Sequence, residues 1–150
     1  MDIVKKEKRS EMMSGIRSKN TKPELLIRKG LFKLGYRYKI NANMFGKPDI
    51  ILKKYNAVIF IHGCFWHGHM GCKNFKIPKS NTQFWVEKID KNRKRDGEVL
   101  NCLHASGWRI CIIWECAIRG KNQLLNLDKT INEISKWLKS KSIWKEITYE

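Results

Sequence analysis

The segment Ile61–Cys72, reading IHGCFWHGHMGC, limits the possible folds of this chain more than any other. It holds two of the five cysteines, three of the four histidines and an adjacent Phe65-Trp66 pair. Thiolates and imidazoles crowded so tightly suit a transition metal. The segment continues Ala57–Ile61, an apolar run that reads as a central strand. A fold for this chain must therefore end a buried strand in a glycine-containing loop that has little core of its own.

Cys64-x4-His69-x2-Cys72, completed from a distance by Cys116, would make a Cys3His tetrahedron, the pattern of a closed structural zinc site. Zinc would fix such a loop, and Cys116, directly after a later apolar strand, would tie that strand's end to it. The competing view makes Cys72 and Cys116 buried thiols and the histidines polar surface groups. C-x7-C is not a standard finger spacing, so spacing alone leaves both open. The N-terminus, MDIVKKEKRS, lacks the apolar core of a secretory signal, and no apolar run approaches the roughly 18–20 residues of a membrane span. The expectation is a cytosolic protein, where an odd count of five cysteines fits metal ligands plus leftover thiols better than disulfides. Cys102 and Cys111 fall in apolar patterns and are expected in the core.

Lys and Arg number 31 against 14 Asp and Glu, a formal charge of +17. That balance points to a polyanionic partner without choosing between DNA, RNA and an acidic membrane. A hydrophobic content of 42 % argues against a disordered basic tail. The length of 150 residues fits one domain with a real core, residues 1–9 forming a flexible basic segment.

Along the chain, Ser10 caps a short helix through about Ser18. Thr21-Lys22-Pro23-Glu24 matches a capping box with Pro in the first turn. Leu25, Leu26, Leu31, Phe32 and Leu34 then supply an apolar face, and Gly35 a stop. Tyr36, Tyr38 and Ile40 alternate with Arg37 and Lys39 as in a half-buried strand. Further strands follow at residues 49–52 and 57–61, then a loop over about 63–81. A helix over about Thr82–Ala105 buries Trp85, Ile89, Val99, Leu100 and Leu103. A strand over Trp108–Trp114 and a helix over Asn122–Lys139, apolar through Leu125, Ile131, Ile134 and Leu138, complete the order α-β-β-β-α-β-α. The fold class is α/β, a mixed central sheet flanked by helices.

Some residues also suit phosphodiester chemistry, which needs a hard cation and an activated water. Asp49, at the start of a strand after Gly46-Lys47-Pro48, could hold Mg²⁺; it could equally be a turn aspartate. His67 is left over if Cys64 and His69 bind zinc, and an imidazole backed by a carboxylate is a general base. Asp96 could be that carboxylate, or could pair with Arg93 or Arg95 on an exposed helix face. Glu24 is explained by the capping box alone. Phe65-Trp66 could be core, although two adjacent large aromatics on a tethered loop cannot easily both point inward.

Taken in order, Gly46-Lys-Pro-Asp49, Val58-Ile-Phe-Ile-His-Gly-Cys-Phe-Trp-His67, Phe75-Lys-x-Pro78, Phe84-Trp85-x-x-Lys88-Ile89-x-x-Asn92-x-x-Arg95-Asp96, Gly107-Trp-Arg109 and Trp114-Glu-Cys116 closely resemble the bacterial very short patch repair (Vsr) endonucleases. The likeness runs from about Arg9 to Leu138. It implies a restriction-endonuclease-like fold with an αβββαβ core. The activity it implies is nicking 5′ of the thymine in T·G mismatches left by deamination of 5-methylcytosine. Asp49 then matches the central Mg²⁺ ligand, joined by the main-chain carbonyl of Ile61, where some relatives have threonine. His67 matches the water-activating base and Asp96 its support, while Glu24 and His62 match residues that organise water around the metal. Cys64, His69, Cys72 and Cys116 match the structural zinc ligands. Phe65 and Trp66 match aromatics that wedge into DNA beside the mismatch, and Met13 one that wedges from the other groove. The resemblance further implies a monomer acting at the nucleoid and passing its nick to repair polymerase and mismatch-repair factors. The superfamily's usual (D/E)-x-K after the strand is replaced by Ile61-His62-Gly63, which assigns the base role to histidine.

Two other functions share these residues. One is a Vsr-like restriction or homing nuclease acting on paired DNA; the other is a non-catalytic zinc-stabilised DNA-binding module, against which Asp49, His67 and Asp96 speak.

Overall fold

Every internal strand of this protein is apolar on both faces, and the two faces bury against different helices. The computed structural model describes residues 21–40 and 43–148; the Ser10–Ser18 helix, the basic segment 1–9 and Met13 lie outside them. Helix α1 spans Lys22–Lys33, β1 Ile50–Leu52, β2 Ala57–His62, α2 Thr82–Ala105, β3 Arg109–Trp114, α3 Gln123–Lys139 and β4 Trp144–Ile147. The sheet runs β1-β2-β3-β4, with β1 antiparallel to β2 and the other neighbours parallel. No described helix is long and apolar enough to cross a membrane.

Strand alternation sorts the core into two layers. Ile50, Leu52, Ala57, Ile59, Cys111 and Ile113 pack with Ile27 and Leu31 of α1 and Ile131, Ile134 and Leu138 of α3. Ile51, Val58, Phe60, Ile110, Ile112 and Trp114 face the other way, against Leu103 of α2. Helices on both faces of a mostly parallel sheet are what continuous apolar strands require. At Gly30 an added Cβ would lie 2.6 Å from the Ile131 side chain, so glycine lets α1 approach α3 closely.

Several expectations are corrected. The Thr21 side chain caps nothing. Glu24 is buried and accepts a bond from Arg28 at 2.9 Å. The buried stripe of α1 is Glu24, Ile27, Arg28 and Leu31, at helical spacing. Leu25, Phe32 and Leu34 are consequently about half exposed. Residues 36–40 form no strand. Only Lys39 bridges to Ile51, because Tyr36 and Tyr38 direct their hydroxyls to Ser135 of α3 and the carbonyl of Arg28. Leu125 is exposed because the buried stripe of α3 begins a turn later, at Thr130. Cys102 is exposed, one helical step from buried Leu103, whereas Cys111 is fully buried.

The order expected from the pattern omits β4, whose sequence WKEI shows no apolar run and sits at a sheet edge. Arg109 braces the turn that leads to it. Its guanidinium donates to the carbonyls of Trp137, Leu138, Ser140, Ser142 and Tyr55. The terminal carbonyls of α3, which have no partner within the helix, are thereby satisfied.

Candidate functional site

The site is built where β2 and β3 end side by side. Their parallel register pairs His62 with Trp114, and alternation turns both toward the face that α2 covers. The residues that follow, Gly63-Cys64 and Glu115-Cys116, are therefore adjacent too. The loop after β2 folds back through bonds from His67 N–H to the Gly63 carbonyl and from His69 N–H to that of Cys64. Gly68 between them has φ +61, and an added Cβ would lie 2.7 Å from the side chains of Ile89 and Arg93. Only glycine supplies both the left-handed backbone and the close approach to α2. As a result His67 stacks on His62 at 3.9 Å and 3°, and His69 stacks on Trp114 at 4.0 Å and 4°.

Candidate ligand atoms of Cys64, His69, Cys72 and Cys116 all lie within 4.8 Å of one another. Cys116 Sγ is 3.6 Å from His69 Nδ1. A zinc tetrahedron with bonds of about 2.0–2.3 Å needs ligand separations of roughly 3.4–3.8 Å. Burial pushes the Cys64 thiol well up, and burial holds His69 below its ordinary value, in the neutral form that ligates. Three sulfurs and an imidazole brought together in this way are a donor set that a soft cation would stabilise. Supporting bonds surround the set: Thr148 Oγ1 lies 3.3 Å from His69 Nε2, and Asn74 N–H donates to Cys72 Sγ. The donor set fits a structural zinc ion.

On the other side of the loop, His67 Nδ1 meets Asp96 Oδ2 at 2.6 Å. Asp96 thus turns inward to the loop. His62 is buried, its Nδ1 lacks a hydrogen-bond partner, and burial, then the neighbouring His67, push its pKa down to about 3. It is therefore a neutral platform under His67. The ligating atoms of His62, His67 and Asp96 are also mutually close, but a 2.6 Å contact between a ring nitrogen and a carboxylate is a hydrogen bond.

Asp49 reaches the same region from the start of β1, after a turn in which Gly46 and Lys47 both have positive φ. Its Oδ2 accepts the Ile61 N–H at 2.6 Å. A strand residue's N–H and C=O leave by the same edge, so the Ile61 carbonyl lies on the Asp49 side of β2. Burial pushes the Asp49 carboxyl up to about 7; Glu24 adds to this, while the Ile61 bond, His67 and Arg28 oppose it. A partly buried carboxylate with a second carboxylate and a carbonyl nearby is a donor set suited to a hard divalent cation.

Beside these groups lies an aromatic cluster. Phe65 is 5.1 Å from Trp66 and 5.4 Å from Trp85, and Trp66 is 5.8 Å from Trp85, with Phe75 and Phe84 at the margins. Phe65, Trp66 and Trp85 are half-buried, neither core nor free surface. Asn92 Nδ2 donates to the Trp66 carbonyl and holds the pair to α2. Trp85 was expected in the core from helical periodicity; the adjacent Phe84-Trp85, which mirrors Phe65-Trp66, is the signal that could have placed it here. A groove of about 400 Å³ beside the cluster is lined by Phe84, Glu87, Lys88, Lys91, Asn92 and Arg95. A larger hollow of about 960 Å³ borders the Cys3His set and contains none of Asp49, His67 or Asp96.

A family model described as DNA mismatch endonuclease Vsr matches residues 1–74. The type II nicking enzyme V.NmeAIP of Neisseria meningitidis serogroup A is 51 % identical over 121 residues, 80 % of this chain and 86 % of the relative. The DNA mismatch endonuclease Vsr of Escherichia coli is 39 % identical over 139 residues, 91 % and 87 %. The type II nicking enzyme V.HpaIIP of Haemophilus parainfluenzae is 42 % identical over 139 residues, 91 % and 94 %.

Proposed function

Because the chain belongs to the Vsr family of DNA mismatch endonucleases, we propose that it nicks DNA 5′ of the thymine in T·G mismatches, with Mg²⁺ as catalytic cation. The family makes it a DNA endonuclease; the mismatch and the cation are our reading. The observation that carries it is the 2.6 Å His67–Asp96 pair, set within electrostatic reach of partly buried Asp49.

In this reading Asp96 accepts the Nδ1–H of His67 and so fixes the tautomer. Nε2 keeps its lone pair and takes a proton from the attacking water. Neutral His62 supports the ring from below. Asp49 and the Ile61 carbonyl would hold Mg²⁺, with Glu24, oriented by Arg28, ordering water nearby. The cation, when bound, supplies positive charge at the scissile phosphate and its leaving oxygen. Cys64, His69, Cys72 and Cys116 would hold Zn²⁺, which fixes the loop that carries His67.

Phe65, Trp66 and Trp85 serve as the wedge. A mismatched step costs less to unstack than a paired one, so an apolar wedge selects damaged DNA. Met13 is the proposed second wedge. The whole chain is read as one restriction-endonuclease-like domain acting as a monomer, with the nick passed to repair polymerase and mismatch-repair factors.

His67→Ala and Asp49→Ala test the assignment. Each is expected to lower the nicking rate by about 10²–10⁴-fold or more while zinc content stays near one atom per chain. Retained activity in both variants overturns it.

A further inference from the structure

The two metal-side and base-side histidines are joined by an unbroken run of rings. His69 of the Cys3His set lies flat on Trp114. Trp114 meets His62 edge-on at 5.2 Å and 75°. His62 lies flat under His67, whose Nδ1 is held by Asp96. The strand register sets this arrangement: His62 and Trp114 are paired positions on β2 and β3, and loop residues two apart, His67 and His69, settle one on each. Trp114 itself is anchored by a 2.6 Å bond from Nε1 to Glu146 of β4. The same strand end supplies Thr148 to His69 Nε2.

We propose that Trp114, anchored by Glu146, is a positioning residue for His67. It touches neither DNA nor the reacting atoms. It fixes where the metal-bearing turn of the loop sets down, and it closes one side of the space in which the His62 ring stands. His67 can then rotate little away from its line to Asp96, because His62 below it and His69 two residues on are both seated against the same indole. This gives β4, a short polar edge strand, a part in catalysis at a distance. The inference rests on His67 being the base, and its test is built to separate the two ideas.

The test uses the full chain loaded with zinc, ¹⁵N-labelled at histidine, comparing Trp114→Leu, Trp114→Phe and Glu146→Leu. Phenylalanine keeps a flat ring and loses the anchor; leucine loses both. For Trp114→Leu the maximal nicking rate should fall by roughly 100-fold, the scale of a misplaced catalytic group, with KM for DNA little changed. Trp114→Phe and Glu146→Leu keep a flat ring but lose the anchor, so each should fall between the parent and the Trp114→Leu variant. The Nδ1–H signal of His67, identified by its loss in Asp96→Ala, should vanish in Trp114→Leu and persist, broadened or shifted, in the other two. That signal reports ring placement whether or not His67 is the base, so an inactive-base result and a positioning failure are distinguishable. A sharp, unshifted signal in all three variants overturns the proposal. A rise in KM at constant maximal rate, or a phenylalanine variant as poor as leucine, does so too. If Trp114→Leu does not fold or bind zinc, Trp114→Phe and Glu146→Leu decide: a lowered maximal rate with a broadened or shifted signal supports the proposal, and parental rates with sharp, unshifted signals overturn it.

Discussion

At the scale of single residues, the site depends on which side of each histidine faces a partner. His67 offers Nδ1 to Asp96, which leaves Nε2 free for the proposed proton transfer. His69 turns Nδ1 to the sulfurs and Nε2 to Thr148, an outer partner of the kind that fixes a ligand's tautomer. Asp96→Ala is therefore expected to slow nicking by less than His67→Ala, roughly 10–10²-fold against the 10²–10⁴-fold of losing the base. A ring without its carboxylate still carries a lone pair, only in the wrong tautomer part of the time. Single-turnover rates on a mismatched duplex check the order; an Asp96→Ala rate equal to the parent's contradicts it. Much at this scale was legible in the sequence. Cysteine and histidine spacing suggested the four-residue cluster, and the spare His67 stood out by subtraction. Glu24 did not, because a capping box explained it locally, and only the tertiary pairing with Arg28 shows why a carboxylate is buried there. Trp85 was hidden for the opposite reason, since helical periodicity cannot tell a core tryptophan from one that joins an aromatic cluster on another loop.

At the scale of elements, the loop after β2 and the brace at the end of α3 carry the clearest tests. Gly68→Ala would strain a left-handed backbone and push a methyl group into Ile89 and Arg93. It should cost about 2 kcal/mol or more and weaken metal retention, measured by denaturant unfolding of the zinc-loaded protein and by metal release. Unchanged stability would mean the loop can settle elsewhere. Arg109→Ala should cost about 2–3 kcal/mol through stranded helix-end carbonyls, with nicking at saturating DNA nearly intact at temperatures well below unfolding. The two long helices and the apolar strands β2 and β3 announce themselves in sequence because both faces or one full stripe is hydrophobic. The pattern failed where tertiary partners override it. Residues 36–40 alternate like a strand, but their tyrosines are claimed by helices α1 and α3, leaving one bridge to β1. Strand β4 has too little apolar content to be noticed, and parallel pairing beside β3 forms it anyway.

For the whole molecule, the proposed function combines a strongly basic chain, a half-buried aromatic cluster and His67, set between the Cys3His cluster and Asp49, as the proposed base. The charge of +17 gives general DNA attraction that weakens steeply with salt; under the proposed function the aromatics add the preference for a damaged step. Replacing Phe65 and Trp66 together by alanine should therefore reduce the discrimination between mismatched and paired duplexes more than it reduces affinity for paired DNA. Equal losses on both duplexes, in competition binding at one fixed salt concentration, would remove the wedge from the account. The central claim is mismatch-directed nicking of one strand, and strand-resolved cleavage in Mg²⁺ tests it most directly. The substrates are duplexes with T·G mismatches in varied flanking sequences, alongside fully paired controls. A single nick 5′ of the mismatched thymine, absent from paired duplexes and lost in His67→Ala, is the expected result. Cleavage of both strands in paired DNA, or no cleavage of any duplex by a zinc-loaded protein that binds them, would overturn the proposed function.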